Sequence, residues 1–246
     1  MMSLEQPGAG AEVIGIDDVR EKNFTRICNI LKTNFPEIKT ILDVGCSRGI
    51  FLRIGKTEGF TVTGLEPDKT ITESTKLDGF EVLTGFFPDA KELSDKKYDA
   101  IIFNDSMEHI PDLSKIIRGI KQHLNKNGVA IVNIPTSRGL VFTISSFLNK
   151  IGIHTMYDRE WQTGFASPHI HYFNEDNLEL LFENNGFERK YNTRLLYYTI
   201  NGLWKRLICK SSFFVSIFSW LIMVILYPLF VLKSDCFVSF FTKAEN

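Results

Sequence analysis

The stretch that decides the fold reads T-I-L-D-V-G-C-S-R-G and covers residues 40–49. Its first half, residues 40–44, is largely apolar and bounded by a turn signal, which predicts a buried strand. Gly45 and Gly49 then lie on either side of a tight turn, since glycine accepts backbone conformations that other residues avoid. A short helix is predicted over residues 50–58. The order of strand, glycine turn and helix is typical of the first unit of a parallel α/β sheet.

The rest of the chain continues this alternation of strands and helices. Such alternation predicts parallel strands joined by right-handed crossovers. The further predicted strands are 61–65, 80–84, 98–103, 129–134, 187–200 and 236–242, and the further predicted helices are 17–35, 71–76, 113–124 and 176–185.

A chain of 246 residues suits one α/β domain with insertions. We expect residues 1–16 to be a disordered lead-in and residues 17–246 to form the domain. Two segments interrupt the alternation. Residues 136–170 mix aromatic, polar and glycine residues and are expected to form a cap over the substrate. Residues 205–233 are expected to form a hydrophobic, helical insertion that associates with a membrane.

Charge and cysteine usage exclude several classes of partner. The 28 basic and 29 acidic residues nearly cancel, so no nucleic-acid partner is expected. The four cysteines form no C-x-x-C pair, which disfavours both a zinc site and a disulfide framework. No basic segment followed by an apolar run opens the chain, so no signal peptide is expected. These features together predict a cytoplasmic location.

A candidate ligand-binding acid follows the glycine turn. Glu66 lies 17 residues after Gly49, at the end of the second predicted strand. A carboxylate at that position can accept hydrogen bonds from both hydroxyls of a ribose. Residues 45–49 lack the G-x-G-x-x-G spacing of nicotinamide-binding turns, and no Walker-type lysine and serine follow them. The pattern therefore favours a nucleoside ligand of another kind.

Four sequence motifs resemble those of one protein family, and together they span roughly residues 38–200. Residues 43–49, D-V-G-C-S-R-G, resemble the first motif of class I S-adenosylmethionine-dependent methyltransferases. Residues 104–112, N-D-S-M-E-H-I-P-D, are similar to the phrase that follows the fourth strand in that family. Residues 124–134 resemble the family's turn and fifth strand, and residues 171–187 resemble the stretch near its sixth strand. The resemblance is closest to the small-molecule branch, which includes ubiquinone-type O-methyltransferases.

The resemblance implies a fold and a cofactor. The implied fold is an α/β, Rossmann-like, doubly wound, seven-stranded and mostly parallel sheet with an antiparallel last strand. The implied cofactor is S-adenosyl-L-methionine. Ser47 stands where many relatives carry glycine, and it is small enough to leave room for a ligand. The implied cofactor-binding residues are Asp43, Gly45, Cys46, Ser47, Gly49, Glu66, Pro67, Gly85, Phe86, Asn104 and Ser106.

Methyl transfer from a sulfonium is an in-line displacement, so the protein mainly has to align the two reactants and exclude water. A hydroxyl nucleophile also has to lose its proton, and histidine suits the role of base near neutral pH. His109 follows the fourth predicted strand and is the candidate catalytic residue. The alternative is that His109 orients a loop through hydrogen bonds.

The 136–170 segment supplies candidate substrate contacts. Tyr157, Trp161 and Phe165 are expected to form an aromatic lid over an apolar or ring-bearing acceptor. The alternative is a small satellite core. His169 and His171 would face one side of a strand and are further candidates for substrate contact. No metal site is expected, because the histidines and acids of this segment otherwise match no ligand spacing.

Residues 211–232 contain no charged residue, and their length permits a membrane span. The last predicted strand, 236–242, must nevertheless join the sheet on the same side as the rest of the domain. This favours peripheral contact with the cytoplasmic face of a membrane. Lys205, Arg206 and Lys210 would suit anionic headgroups. The alternatives are a true C-terminal span and a buried helical hairpin.

The sequence thus predicts an S-adenosylmethionine-dependent methyltransferase that methylates an oxygen of a small or lipid-linked hydrophobic acceptor. One alternative is a non-catalytic S-adenosylmethionine-binding module that docks on a membrane. A short-chain nicotinamide oxidoreductase would need a Y-x-x-x-K pair and a three-glycine turn. A nucleic-acid methyltransferase is disfavoured by the balanced charge.

Overall fold

The computed structural model describes residues 9–197 and 213–244. Seven strands form one sheet in the order β3-β2-β1-β4-β5-β7-β6. β7 pairs antiparallel with both of its neighbours, and the other pairings are parallel. This confirms the predicted Rossmann-like sheet with its antiparallel last strand. The strands are β1 Thr40–Val44, β2 Thr61–Glu66, β3 Glu81–Thr84, β4 Tyr98–Asn104, β5 Leu124–Pro135, β6 Phe187–Leu195 and β7 Cys236–Lys243.

Several helices begin at side chains that cap them. Asp68 accepts hydrogen bonds from the backbone of the first turn of α3, and Asp112 does so for α4. Asn174 and Asn177 form a capping box at the start of α7. The helices are α1 Ala9–Asn34, α2 Ile50–Thr57, α3 Lys69–Leu77, α4 Leu113–His123, α5 Leu140–Lys150, α6 Thr155–Glu160, α7 Glu175–Glu183 and α8 Phe213–Leu232, with short 3-10 helices at Lys91–Leu93 and Met107–His109.

The first helix is longer than the sequence predicted. α1 begins at Ala9, so the expected disorder over residues 1–16 is wrong for residues 9–16. Residues 1–8 lie outside the described residues. The helix is fixed by its second half, because Ile27 and Leu31 are fully buried against the sheet. Its first half extends from that anchor towards the carboxyl end of β1.

The sheet is covered on both faces, as a mostly parallel sheet requires. Ile101 and Phe103 of β4 face one hydrophobic cluster, together with α4 and α7. Ile102, between them, faces the second cluster, together with α1 and α2. Since β1 and β4 are adjacent and parallel, their carboxyl ends lie side by side at one edge. The loops that follow these two strands are therefore brought together.

The predicted cap segment contains two helices, α5 and α6, which the sequence analysis did not assign. The start of α5 is capped from far along the chain. The Asp235 carboxylate accepts hydrogen bonds from the backbone N–H groups of Val141 and Phe142, at 3.0 and 2.9 Å. A cap supplied from the start of β7 is invisible to local sequence patterns.

α8 leads into β7 and carries exposed apolar side chains. Ile225 is 73% exposed, and Leu221 and Leu229 are also exposed. Pro228 lies inside this helix. Counting only the residues that the structure describes, no helix is long and apolar enough to cross a membrane.

Candidate functional site

The glycine turn between β1 and α2 is held open by its backbone. Gly45 and Gly49 have φ angles of 78° and 74°, and Ser47 between them has a φ of 46°. A Cβ atom on Gly45 would lie 2.9 Å from Cβ of Ser106. Only glycine satisfies both the backbone angle and this close approach. The turn therefore leaves a concave backbone surface beside the end of β4.

Glu66 fastens this turn to the end of β2. One carboxylate oxygen accepts a hydrogen bond from the backbone N–H of Ser47 at 3.0 Å, and the other accepts one from Asp68 at 3.1 Å. Each carboxylate oxygen has further acceptor capacity. Glu66 can therefore position the turn and bind ligand hydroxyls at the same time.

A chain of buried polar side chains crosses the sheet beneath the turn. Asn104 donates to Oδ1 of Asp43 at 3.0 Å, and Asn133 donates to the side-chain oxygen of Asn104 at 3.1 Å. Asp43 is only 1% exposed. This burial raises the pKa of Asp43 to about 7 against the opposing effect of the Asn104 hydrogen bond, with a further contribution from Glu66. A buried carboxylate of this kind is well suited to a cationic ligand group.

A cavity of about 200 Å³ opens over the turn. Five of the residues assigned to the cofactor by resemblance line it. α1 contributes Arg20 and Phe24, which the sequence analysis missed. Arg20 also lies 3.5 Å from Asp105 in an ion pair. The sequence shows only that a basic and an aromatic residue share one helix. Their connection to the cavity depends on where α1 packs. The five predicted residues in the lining are Asp43, Gly45, Cys46, Ser47 and Asn104.

The other predicted cofactor residues do not appear in the lining of this cavity. Gly49 is the residue before α2, and Ser106 donates to the backbone carbonyl of Val44 at 2.7 Å. Gly85 donates through its backbone to the carbonyl of Glu66 at 3.1 Å. Pro67 is exposed, and Phe86 is 73% exposed. Glu66 itself borders the turn rather than the cavity.

The cap segment brings an aromatic cluster to the same edge of the sheet. Trp161 lies 6.1 Å from Tyr157 and 5.2 Å from Tyr172 between ring centroids. Phe142 lies 4.2 Å from Tyr172. Phe142 and Tyr172 were not predicted. Phe165, which was expected in this lid, is instead 64% exposed.

The hydroxyl groups of two tyrosines lie against one half-buried acid, Glu160, beside this cluster. Tyr172 donates to Glu160 at 3.0 Å, and Tyr197 donates to it at 3.4 Å. Burial raises the pKa of Glu160, and these two hydrogen bonds partly oppose the shift. The acid thus fixes the polar ends of two rings whose faces remain available for packing.

The histidines separate into two groups. The rings of His109 and His169 lie 4.8 Å apart between centroids, next to the aromatic cluster. His171 lies elsewhere, because its Nε2 is 3.1 Å from the backbone oxygen of Ile110 and its ring is 5.8 Å from Phe173. The structure therefore brings together Tyr157, Trp161, His169 and His109, and it separates His171 from them.

The turn fits S-adenosylmethionine on chemical grounds. The glycine backbone admits a ligand at close range, Asp43 offers a buried anion, and Glu66 offers acceptors. The N-terminus of α2 adds backbone donors beside the cavity. Together these groups match the amino, hydroxyl and carboxylate groups of an amino-acid nucleoside.

Comparisons with known proteins agree with this geometry. Residues 19–190 match the model of a methyltransferase domain family. The chain is 30% identical over 110 residues to a ubiquinone biosynthesis O-methyltransferase of Rickettsia prowazekii. The aligned region covers 42% of this chain and 43% of that protein. The chain is 26% identical over 175 residues to the protein of the same name in Rickettsia canadensis, covering 67% and 69%. The match thus spans less than half of the first relative.

Solved structures show the same fold. An S-adenosylmethionine-dependent methyltransferase of Thermotoga maritima superposes with a TM-score of 0.59 at 15% identity, covering 93% of this chain and 91% of that one. The magnesium protoporphyrin IX methyltransferase of Synechocystis, solved with S-adenosylhomocysteine, gives 0.56 at 14% identity, with coverage of 80% and 86%. At such low identity these similarities support the fold alone. The family is shown by the match to the methyltransferase domain family over most of the chain. The chain belongs to the class I S-adenosylmethionine-dependent methyltransferases.

Proposed function

We propose that this protein transfers a methyl group from S-adenosylmethionine to an oxygen of a small, hydrophobic, ring-bearing acceptor. The observation that carries the proposal is one juxtaposition at the carboxyl edge of the sheet. The glycine turn lies against Ser106, and three residues later the His109 ring lies 4.8 Å from that of His169, which in turn lies 5.8 Å from the Tyr172 ring of the aromatic cluster. A donor cradle and an aromatic acceptor site therefore share one short loop.

The donor would be held by residues of three elements. Asp43 would accept from the ammonium group of its methionine part, and Glu66 would accept from its ribose hydroxyls. Arg20 of α1 would supply positive charge for the carboxylate. When bound, the donor supplies an electrophilic methyl group, and the chain contributes alignment and the exclusion of water.

The acceptor would lose its proton beside His109. Nδ1 of His109 lies 2.9 Å from the backbone oxygen of Pro168, which favours a proton on Nδ1 and a lone pair on Nε2. That lone pair can receive a hydroxyl proton. His109 is therefore the first candidate for base in this proposal.

The aromatic cluster argues for a ring in the acceptor. Trp161 and Tyr172 offer ring faces, and such rings prefer offset or edge contacts with another ring. Nε1 of Trp161 is buried and has no hydrogen-bond partner among the described residues. An oxygen of the acceptor would satisfy that donor.

The exposed apolar surface of α8 supports a hydrophobic or lipid-linked acceptor delivered at a membrane surface. β6 and β7 are neighbours in one sheet, so the chain between Leu195 and Cys236 starts and ends on the same side. Peripheral contact satisfies this condition, whereas a single crossing does not. The basic residues predicted to meet headgroups, Lys205, Arg206 and Lys210, lie outside the described residues.

The test is methyl transfer with turnover, measured with purified protein and radiolabelled donor. The acceptor panel would pair phenols and catechols of increasing alkyl length, with and without anionic vesicles. We expect turnover to rise with alkyl length and to be lost in Glu66→Ala. Trp161→Ala should raise KM for the acceptor, whereas Phe165→Ala is the matched control because Phe165 is exposed. Donor binding by calorimetry without any turnover across the panel would instead favour a non-catalytic binding module.

A further inference from the structure

Three side chains converge immediately beyond β4. Glu108, His109 and His169 each offer one ligand atom, and these atoms all lie within 4.8 Å of one another. Nε2 of His169 is 4.0 Å from Oε1 of Glu108. Two of the three residues are neighbours in the 3-10 helix after β4, and the third comes from the cap segment.

Glu108 is unusual among the acids of the described chain. It is 1% exposed, and neither carboxylate oxygen has a hydrogen-bond partner among the described residues. Burying a charged carboxylate without a partner is unfavourable. The site therefore calls for a positive charge that the described side chains do not supply by contact.

His109 is oriented in the manner of a metal ligand, and His169 faces Glu108. His109 is fastened through Nδ1 to the carbonyl of Pro168. The ring of His169 has Nε2 turned towards Oε1 of Glu108, and its Nδ1 is buried without a hydrogen-bond partner among the described residues. Metal-binding histidines usually donate one ring N–H to a carbonyl, which fixes the ring and leaves the other nitrogen free. His109 has that division of roles.

The arrangement is held by the backbone and is therefore preformed. The backbone oxygen of Glu108 accepts hydrogen bonds from the N–H groups of Ile170 and His171, at 2.9 and 3.1 Å. These backbone hydrogen bonds hold His169 next to Glu108 independently of any side-chain contact. Atoms bound to one ion at about 2.0–2.2 Å lie about 3–3.5 Å apart, so these donor atoms must approach one another by up to about 1.5 Å, which side-chain rotation can supply.

We propose that Glu108, His109 and His169 form a binding site for a divalent transition-metal ion. Two imidazoles and one carboxylate are a ligand set for zinc, manganese or iron. Magnesium and calcium are disfavoured, because they prefer oxygen ligands throughout. Three protein ligands leave at least one coordination position for a water or a substrate oxygen.

The role of the metal rests on the proposed function. An acceptor hydroxyl that binds the ion would have a lowered pKa and would release its proton to solvent. The resulting oxygen attacks the methyl carbon, the O–CH₃ bond forms as the S–CH₃ bond breaks, and S-adenosylhomocysteine leaves. His109 would then be a ligand and not the base. No metal is expected from the sequence, because the histidines and acids of residues 136–170 match no ligand spacing, whereas Glu108 and His109 lie outside that segment.

The experiment is a cobalt titration of the full chain after treatment with a chelator. The visible absorption of bound Co²⁺ gives the affinity, competition with Zn²⁺ gives the preference, and metal analysis gives the stoichiometry. We expect one equivalent per chain and a loss of affinity of at least tenfold in Glu108→Gln and His169→Ala. His154→Ala is the matched control, because His154 lies outside the cluster and contacts Asn149.

The readout does not depend on catalysis, so the metal site and the proposed reaction can fail separately. Wild-type protein that takes up no cobalt, or variants that bind it as the wild type does, would overturn the site. Retained binding of S-adenosylmethionine in each variant shows that it is folded. Should a variant fail to fold, X-ray absorption of the wild-type cobalt complex decides, with two imidazole nitrogens expected and an all-oxygen shell contradicting the site. Full turnover by metal-free enzyme would overturn only the role in the reaction.

Discussion

Nδ1 of His109 lies 2.9 Å from the backbone oxygen of Pro168, although the two residues are 59 positions apart in the chain. This contact joins the loop after β4 to the cap segment. It fixes the His109 ring with Nε2 available, next to the ring of His169. The loop after β4 and the cap segment are therefore held together at His109.

Replacement of His109 should affect the reaction and spare donor binding. We expect His109→Ala to lower kcat by about 10²-fold or more, as loss of a proton-transferring or oxygen-positioning group does. The Kd for S-adenosylmethionine should change by less than about threefold, since His109 is absent from the cavity lining. Steady-state kinetics and calorimetry check the two parts. Wild-type kcat in His109→Ala would exclude both of its proposed roles.

Two glycines with similar backbone angles should respond differently to alanine. Gly45 has a φ of 78° and a hypothetical Cβ 2.9 Å from Ser106, whereas Gly59 has a φ of 92° and nothing within 4 Å. Gly59→Ala should cost only the backbone strain, about 1–2 kcal/mol of unfolding free energy. Gly45→Ala should cost more and should also abolish donor binding. Urea unfolding and calorimetry measure both, and equal effects of the two changes would contradict the steric argument.

The buried carboxyl of Asp43 should make stability depend on pH. Its pKa in the folded protein is raised from 3.8 to about 7, so the folded state holds this proton more tightly than the unfolded state. The free energy of unfolding should therefore fall as pH rises from about 4 to about 7, by on the order of 4 kcal/mol, and then level off. Asp43→Asn keeps the shape and removes the titration. Urea unfolding across this range checks the difference between the two proteins, and parallel curves would rule out the raised pKa.

Removal of the Asp235 carboxylate, which caps the start of α5, should destabilise residues 136–170. Asp235→Ala leaves the backbone N–H groups of Val141 and Phe142 without their acceptor, which should lower the unfolding free energy by about 1–2 kcal/mol. KM for the acceptor should rise, because Phe142 belongs to the aromatic cluster. Asp176→Ala is the control, since Asp176 is an exposed acid at the start of α7. An unchanged KM would show that the acceptor does not depend on α5.

The sequence by itself determined the sheet and the glycine turn between β1 and α2. Strand β1, the turn at Gly45 and Gly49, and helix α2 follow from apolar runs and glycine, which act within a few residues. The position of Glu66 follows from the end of the next strand. Parallel strands put their carboxyl ends at one edge, so the order of elements was enough to place these groups together.

The tertiary structure decided what local patterns cannot encode. Arg20 reaches the cavity only because the second half of α1 is buried against the sheet. Glu108 and His169 meet because backbone hydrogen bonds join two loops that are distant in the chain. The cap of α5 comes from Asp235, at the start of the last strand. Each of these depends on packing and hydrogen bonds across a long sequence separation, for which propensity and periodicity carry no signal.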